Sequence, residues 1–283
     1  MPESAAEVCG LSRAFGADQA LDDVSLEVAV GSVFGLVGQN GAGKSTLIKH
    51  LLGLWRAQSG AVRVFGLDPV AEPQAVLRRI GYLSENPELP AWMRVSELLL
   101  YLEPLYPTWD RGYANRLRDQ FDLDPSARIG NLSKGQQAKL GLLTAQSHRP
   151  DLLLLDEPSS GLDPVVRTEI LEAIIHTVSE EGRTVLFSSH LLDEVERVSD
   201  HLALLERGRL QFCGVAGRHP GSLPLGLRAL RQPAAGVPCR FRRARRGRFA
   251  QVLDRCSGHP HAGLAGPRCD ACGRGHRGHI GVA

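Results

Sequence analysis

One stretch constrains this chain more than any other: Gly38-Gln-Asn-Gly-Ala-Gly-Lys-Ser45, which matches G-x-x-x-x-G-K-[ST]. Such a loop works between a buried strand and a helix. Its glycines let successive backbone N–H groups curl around phosphate oxygens, and the helix N-terminus behind them adds partial positive charge. The flanks meet that requirement. Val33-Phe-Gly-Leu-Val37 is an apolar run of strand length, and Ser45 to Leu52 carries Leu47, Ile48, Leu51 and Leu52 on one helical face. In such a loop Gly38, Asn40, Gly41, Gly43 and Thr46 frame the phosphates. Lys44 reaches the β- and γ-phosphates, and Ser45 is a ligand for Mg²⁺.

A second apolar run, Leu152 to Leu155, ends in Asp156-Glu157. Two acids after a strand often only cap the next helix. Beside a phosphate loop they read instead as a Mg²⁺ ligand acting through water (Asp156) and a general base for the attacking water (Glu157). Pro164 to Ser179 then shows apolar residues at 166, 170, 174 and 178, with Asp163 as N-cap, Pro164 at the first helical position and Gly182 beyond the end. Thr184 to Phe187 is a further short buried run. Strand, helix and strand in that order give a right-handed crossover in a parallel sheet, so the fold class is α/β with a P-loop core.

Roughly residues 85–149 break the alternation. Helical segments at Val95–Leu102, Asp110–Gln120 and Ser133–Gln146 are separated by proline-containing links, and the stretch reads as a helical subdomain inserted into the core. Ala20–Val30 and Ala61–Phe65 alternate weakly and are expected as antiparallel strands flanking the nucleotide.

Charge divides the chain. Residues 1–213 hold 20 Lys+Arg and 29 Asp+Glu (20 − 29 = −9), whereas residues 214–283 hold 13 Arg, no Lys and 2 Asp (13 − 2 = +11). These are read as an acidic domain, 1–213, and a separate basic tail, 214–283. No run approaches the roughly 18 apolar residues of a spanning helix. The start is acidic, without the regions of a signal peptide. Of the six cysteines only Cys9 and Cys213 lie in the acidic part, too few for a disulfide framework. A cytoplasmic protein is expected, with any membrane role supplied by a partner.

With the P-loop and the Asp-Glu strand in place, the chain resembles the ATP-binding-cassette ATPases over roughly residues 5–213. Leu132-Ser-Lys-Gly-Gln136 is similar to that family's signature, usually L-S-G-G-Q, about twenty residues before the Asp-Glu strand. Ser160-Gly-Leu-Asp163 resembles its D-loop, His190 in Ser-Ser-His its switch histidine, and Phe15 its adenine-stacking aromatic. The resemblance implies an ATPase subunit that binds ATP and Mg²⁺ and packs head to tail with a second cassette. Ser133, Lys134, Gly135 and Gln136 would then face the partner's ATP, His190 would contact the γ-phosphate in cis, and Asp163 would link the two sites. It further implies a separate membrane permease that holds the chain at the inner face of the membrane. Ser133-x-x-Gln136 independently reads as a capping box. There is no internal repeat, so the chain carries one cassette. A soluble non-transport cassette ATPase, or an ATP-binding module without productive turnover, is the alternative function.

Two departures matter. Lys134 replaces the first signature glycine, and a cation at a helix N-terminus is unfavourable by a few tenths of a kcal/mol unless an anion lies opposite. Lys134→Gly is therefore expected to raise monomer stability slightly and to weaken ATP-driven dimerisation. Glu85, in Tyr82-Leu-Ser-Glu85-Asn86, stands where many family members have a glutamine that joins Mg²⁺ to the transport subunit; an acid here resembles the exporter-type branch. Pro87 to Met93, with Trp92, is expected as a permease-docking surface. Leu105 to Asp110 also resembles a segment of the exporter-type branch.

In the tail, Arg240 to Arg248 has the charge to bind nucleic acid or anionic lipid, and Cys269-x-x-Cys272 with His276 and His279 resembles a zinc site. Arg-rich, Lys-free sequence with scattered Cys, His and Pro is also what an unselected frame of a GC-rich gene encodes. The tail is accordingly read as disordered or non-native, and no nucleic-acid partner is expected.

Overall fold

The computed structural model describes residues 4–179 and 182–216, so the readings made on the tail from residue 217 onward lie outside the described residues. A six-stranded sheet forms the centre. In spatial order it runs β5 (Ile80–Leu83), β6 (Leu152–Leu155), β7 (Thr184–Ser189), β3 (Val33–Val37) and β8 (His201–Glu206), all parallel, with β9 (Arg209–Val215) closing antiparallel.

The two faces of this sheet follow the period-2 rule of strands. Val33, Val37, Leu83, Leu153, Leu155, Val185 and Phe187 pack into one core, and Phe34, Leu36, Ile80, Leu152, Leu154 and Leu186 into another. The four leucines of β6 are all fully buried, and burial of each contributes about 1.5–3 kcal/mol. Buried on both faces, these strands show as unbroken apolar runs.

The first core is roofed by the inserted helices α3 (Val95–Leu102), α4 (Arg111–Gln120) and α5 (Lys134–Gln146), together with α6 (Pro164–Ser179) and α7 (Leu192–Val198). Among the described residues the insertion has no strand, only an isolated bridge between Arg94 and Arg128. Asp110 caps α4 by accepting from the Tyr113 N–H at 2.8 Å. Leu105 to Asp110 anchors this layer: Tyr106 stacks on His148 at 4.2 Å, the Thr108 hydroxyl donates to the His148 carbonyl, and Trp109 packs against the core. Helix α7 lies directly on β3, because Gly35 leaves no room for more; a Cβ there would sit 2.0 Å from Val195 Cγ1.

The second core is shared with α1 (Lys44–Leu51) and a three-stranded antiparallel sheet of order β2 (Asp18–Ala29), β1 (Ser4–Phe15), β4 (Ser59–Val64). The two strands expected from sequence are its outer ones, and the central strand, β1, was not read. The reason is local. Register shifts lie between Val8 and Leu11 and again between Leu11 and Arg13, with Gly10 at φ 58° and Asp23 of β2 at φ 52°. A bulge adds a residue to one strand and resets the inside–outside phase. Val8 and Leu11, and likewise Leu21 and Val24, are both buried three positions apart.

The β8–β9 hairpin also went unread. Its turn places Arg207 and Gly208 at φ 48° and 78°, the pair of positive values of a type I′ turn. Strand β9 continues to Val215, and the buried Ala216 donates its N–H to the Asp200 carbonyl at 2.9 Å, so the folded elements extend past residue 213.

Candidate nucleotide site

The sequence motifs converge because parallel strands deliver their following loops to one edge. β3 runs into Gly38, β5 toward Glu85, β6 into Asp156-Glu157 and β7 into His190, and these strands are neighbours in the sheet. Gly41 and Gly43 hold φ of 81° and 107°, which turns the loop into α1. Gly43 is the N-cap and offers no side chain to the first helical N–H groups, so that end of α1 is free to receive an anion.

Lys44 is 5% exposed and its ammonium is fully engaged within the chain. It donates to the Gly38 and Gln39 carbonyls, at 2.5 and 3.0 Å, and pairs with Glu157 Oε1 at 3.0 Å. Glu157, equally buried, sends its other oxygen to His190 Nδ1 at 2.7 Å. The carboxylate is thus fixed between the P-loop lysine and the switch histidine, while His190 remains partly exposed with Nε2 not spent on this bond. Glu157 adopts φ 50°, a left-handed conformation that costs a non-glycine residue about 1–3 kcal/mol. Ser188 holds it there, accepting from the Glu157 N–H at 2.9 Å and donating to Asp156 Oδ1 at 2.7 Å. Sequence reading missed the role of Ser188, although it is the second serine back from His190 in the quoted motif. Tyr82, facing the Asp156 charge from β5, has its phenol pushed up to about 12 by burial first and that charge second.

Around this centre stand the remaining candidates. The Glu85 carboxylate accepts from the Ser160 hydroxyl at 3.3 Å, which connects the β5 loop to the D-loop. Asp163 caps α6, accepting from the Val165 and Val166 N–H groups at 3.0 and 3.1 Å. Phe15 is 39% exposed at the end of β1, with Trp55 edge-on at 5.0 Å and the Arg13 guanidinium 4.7 Å from its ring centre.

The capping box at the signature is formed: the Ser133 hydroxyl accepts from Gln136 N at 3.2 Å, and Gln136 Oε1 accepts from Ser133 N at 2.9 Å. Capping uses a lone pair of Ser133, so its O–H can still donate outward. Among the described residues no hydrogen bond or ion pair joins Ser133, Gly135 or Gln136 to Lys44, Asp156, Glu157 or His190. Gly135 instead packs against Val166 of α6. Lys134 lies over the D-loop of its own chain, where a Cβ on Gly161 would be 2.4 Å from its Nζ. This contact adds a reason to expect that Lys134→Gly loosens the D-loop and weakens ATP-driven dimerisation. Glycine's poorer helix propensity, up to about 1 kcal/mol, offsets the relief of the misplaced charge. Light scattering of both forms with ATP checks this, and equal dimer fractions would refute it.

The segment around Trp92 divides. Leu89 and Met93 pack against the core, while Trp92 is 70% exposed.

A family model described as ABC transporter matches residues 21–160. The bacitracin transport ATP-binding protein of Bacillus licheniformis is 33% identical over 202 residues, covering 71% of this chain and 66% of its own length. The daunorubicin/doxorubicin resistance ATP-binding protein of Streptomyces peucetius is 35% identical over 235 residues, covering 81% of this chain and 71% of its own. A solved ATP-binding subunit of an ABC transporter superposes with a TM-score of 0.68 at 32% identity, covering 75% of this chain and 90% of that one.

Proposed function

Because this chain belongs to the ABC transporter ATP-binding family, whose members are ATPases that drive transport through a membrane partner, we propose that it hydrolyses ATP at the Lys44–Glu157–His190 centre and transmits the work to a separate permease. The observation that carries this reading is Glu157 itself: a buried carboxylate in a strained backbone conformation, aligned by Ser188 and His190 at the mouth of a P-loop. Such a group takes the proton of an attacking water, while Lys44 and the α1 N-terminus hold the transferred phosphate. His190 orients the base through Nδ1 and keeps Nε2 for the γ-phosphate.

Ser45, Asp156 and Glu85 are hard oxygen donors on the loops at this edge, the donor set Mg²⁺ prefers. They would hold the ion, which offsets the phosphate charge when bound. Ser133 to Gln136, remote from this chain's own P-loop residues in bonding, would close on the ATP of a second cassette packed head to tail.

The exposed Trp92, with Leu100, Tyr101 and Leu105 also exposed on the helical insertion, is the surface we assign to the permease. No helix among the described residues is long and apolar enough to cross a membrane, so the chain would be held at the inner face through that partner. Export is the direction favoured by Glu85 and by the drug-resistance relative.

Co-purification of the N-terminally tagged chain from its own cells in mild detergent tests the reading. A multi-span membrane protein recovered in near-equal amount is expected. Soluble partners only, or none, would overturn the transport half and leave the ATPase to be judged by turnover.

A further inference from the structure

Beyond the residues that meet nucleotide, one buried carboxylate has no part in the chemistry described so far. Glu194, on α7, is buried, and its Oε2 accepts from the Ser159 hydroxyl at 2.7 Å and the Ser189 hydroxyl at 3.0 Å. Its Oε1 lies 3.1 Å from Arg167 Nε of α6, as an ion pair without hydrogen-bond alignment. Each partner borders a loop of the site. Ser159 is two residues after Glu157 and immediately precedes the D-loop. Arg167 also donates to the Leu162 carbonyl near the D-loop's end, at 3.3 Å. Ser189 precedes His190, and its oxygen accepts from the Leu191 N–H at 3.1 Å, so it brackets the histidine on both sides. Glu194 itself is carried by a helix pressed onto β3 at Gly35, the strand that ends in the P-loop.

A buried carboxylate accepting two hydroxyls and facing a guanidinium costs much to desolvate, and its removal leaves those partners unsatisfied. It adds a second tie between two segments that Ser188 and His190 already link at Glu157. We propose that Glu194 is a positioning residue that holds the D-loop and the His190 loop as one body, so that displacement of the D-loop resets His190 against Glu157. The inference rests on the reading that Glu157 and His190 carry hydrolysis.

Steady-state ATPase kinetics on the full chain test it, with Glu194→Ala, Glu194→Gln, Ser159→Ala and the Ser159→Ala/Glu194→Ala double variant. The expected result for Glu194→Ala is a kcat at least tenfold lower, with KM and ATP affinity by tryptophan fluorescence within twofold. Glu194→Gln, which keeps an acceptor for the two serines, recovers part of the loss. The double variant is no slower than Glu194→Ala, because both changes cut one link. Ser159→Ala lowers kcat alone and carries the test if Glu194→Ala does not fold. Full kcat in Glu194→Ala, a parallel collapse of kcat and ATP affinity, or losses that multiply in the double variant would each overturn the proposal. A wild-type chain without turnover would overturn the hydrolysis reading as well; a fully active wild type with equally active variants would remove this inference alone.

Discussion

Glu157→Gln binds ATP and stops there: turnover falls by on the order of 10²–10⁴-fold, and the nucleotide-loaded chain accumulates as a dimer. The substitution is nearly isosteric. An amide oxygen can still face Lys44, whose ammonium lies 3.0 Å from Oε1 as an ion pair in the native site. The neighbour on the other side, His190 Nδ1 at 2.7 Å from Oε2, also keeps a polar contact. What is lost is basicity, because an amide does not take a proton from water at neutral pH. Binding and assembly depend on the P-loop and the signature, so they survive. Phosphate release and light scattering, measured on one sample with and without ATP, read both consequences. Hydrolysis at the native rate would place the base elsewhere.

Lys44→Ala fails earlier, at binding. Native Lys44 bridges two P-loop carbonyls and Glu157, and the same ammonium is the point charge the phosphates require. Without it the loop loses its internal tie, and the Glu157 carboxylate remains buried with only His190 beside it. Breaking a buried pair from one side typically costs about 3–5 kcal/mol. The expected outcome is a chain with a lowered melting temperature, no response of tryptophan fluorescence to ATP and no measurable turnover. Retention of ATP binding within tenfold of wild type would remove Lys44 from the phosphate site. The two variants separate cleanly, since one binds without turning over and the other does neither.

The legible parts of the molecule were those where one kind of pattern dominates. The strands of the central sheet are buried on both faces, so Leu152–Leu155 and Val33–Val37 stand out as continuous apolar runs. Helices α4, α5 and α6 carry ordinary start signals, and Asp110, Ser133 and Asp163 form their caps. The antiparallel sheet was half legible because its bulges at Gly10 and Asp23 interrupt the alternation on which strand reading depends. At the site, residue types and spacings named Lys44, Asp156 and Glu157, since that chemistry allows few substitutes, and His190 came from the family resemblance. Lys44 turning back onto Glu157, and Ser188 pinning the base, depend on strand order, which no linear spacing reports. Lys134 lying over Gly161 of its own chain depends on how α5 meets the D-loop, and that too is a property of packing.

The contact between Gly35 and Val195 has a consequence for how much variation this chain can absorb. Even one methyl group at position 35 would stand 2.0 Å from Val195 Cγ1 and 2.6 Å from the Ser199 hydroxyl oxygen, so α7 would have to back away from the sheet. The helix would take Glu194 with it and strain the turn that carries His190, five residues upstream of Val195. Position 35 therefore has no tolerance to spare: a substitution with no atom in the nucleotide site would be felt there as misalignment as well as in the packing of α7 on the sheet.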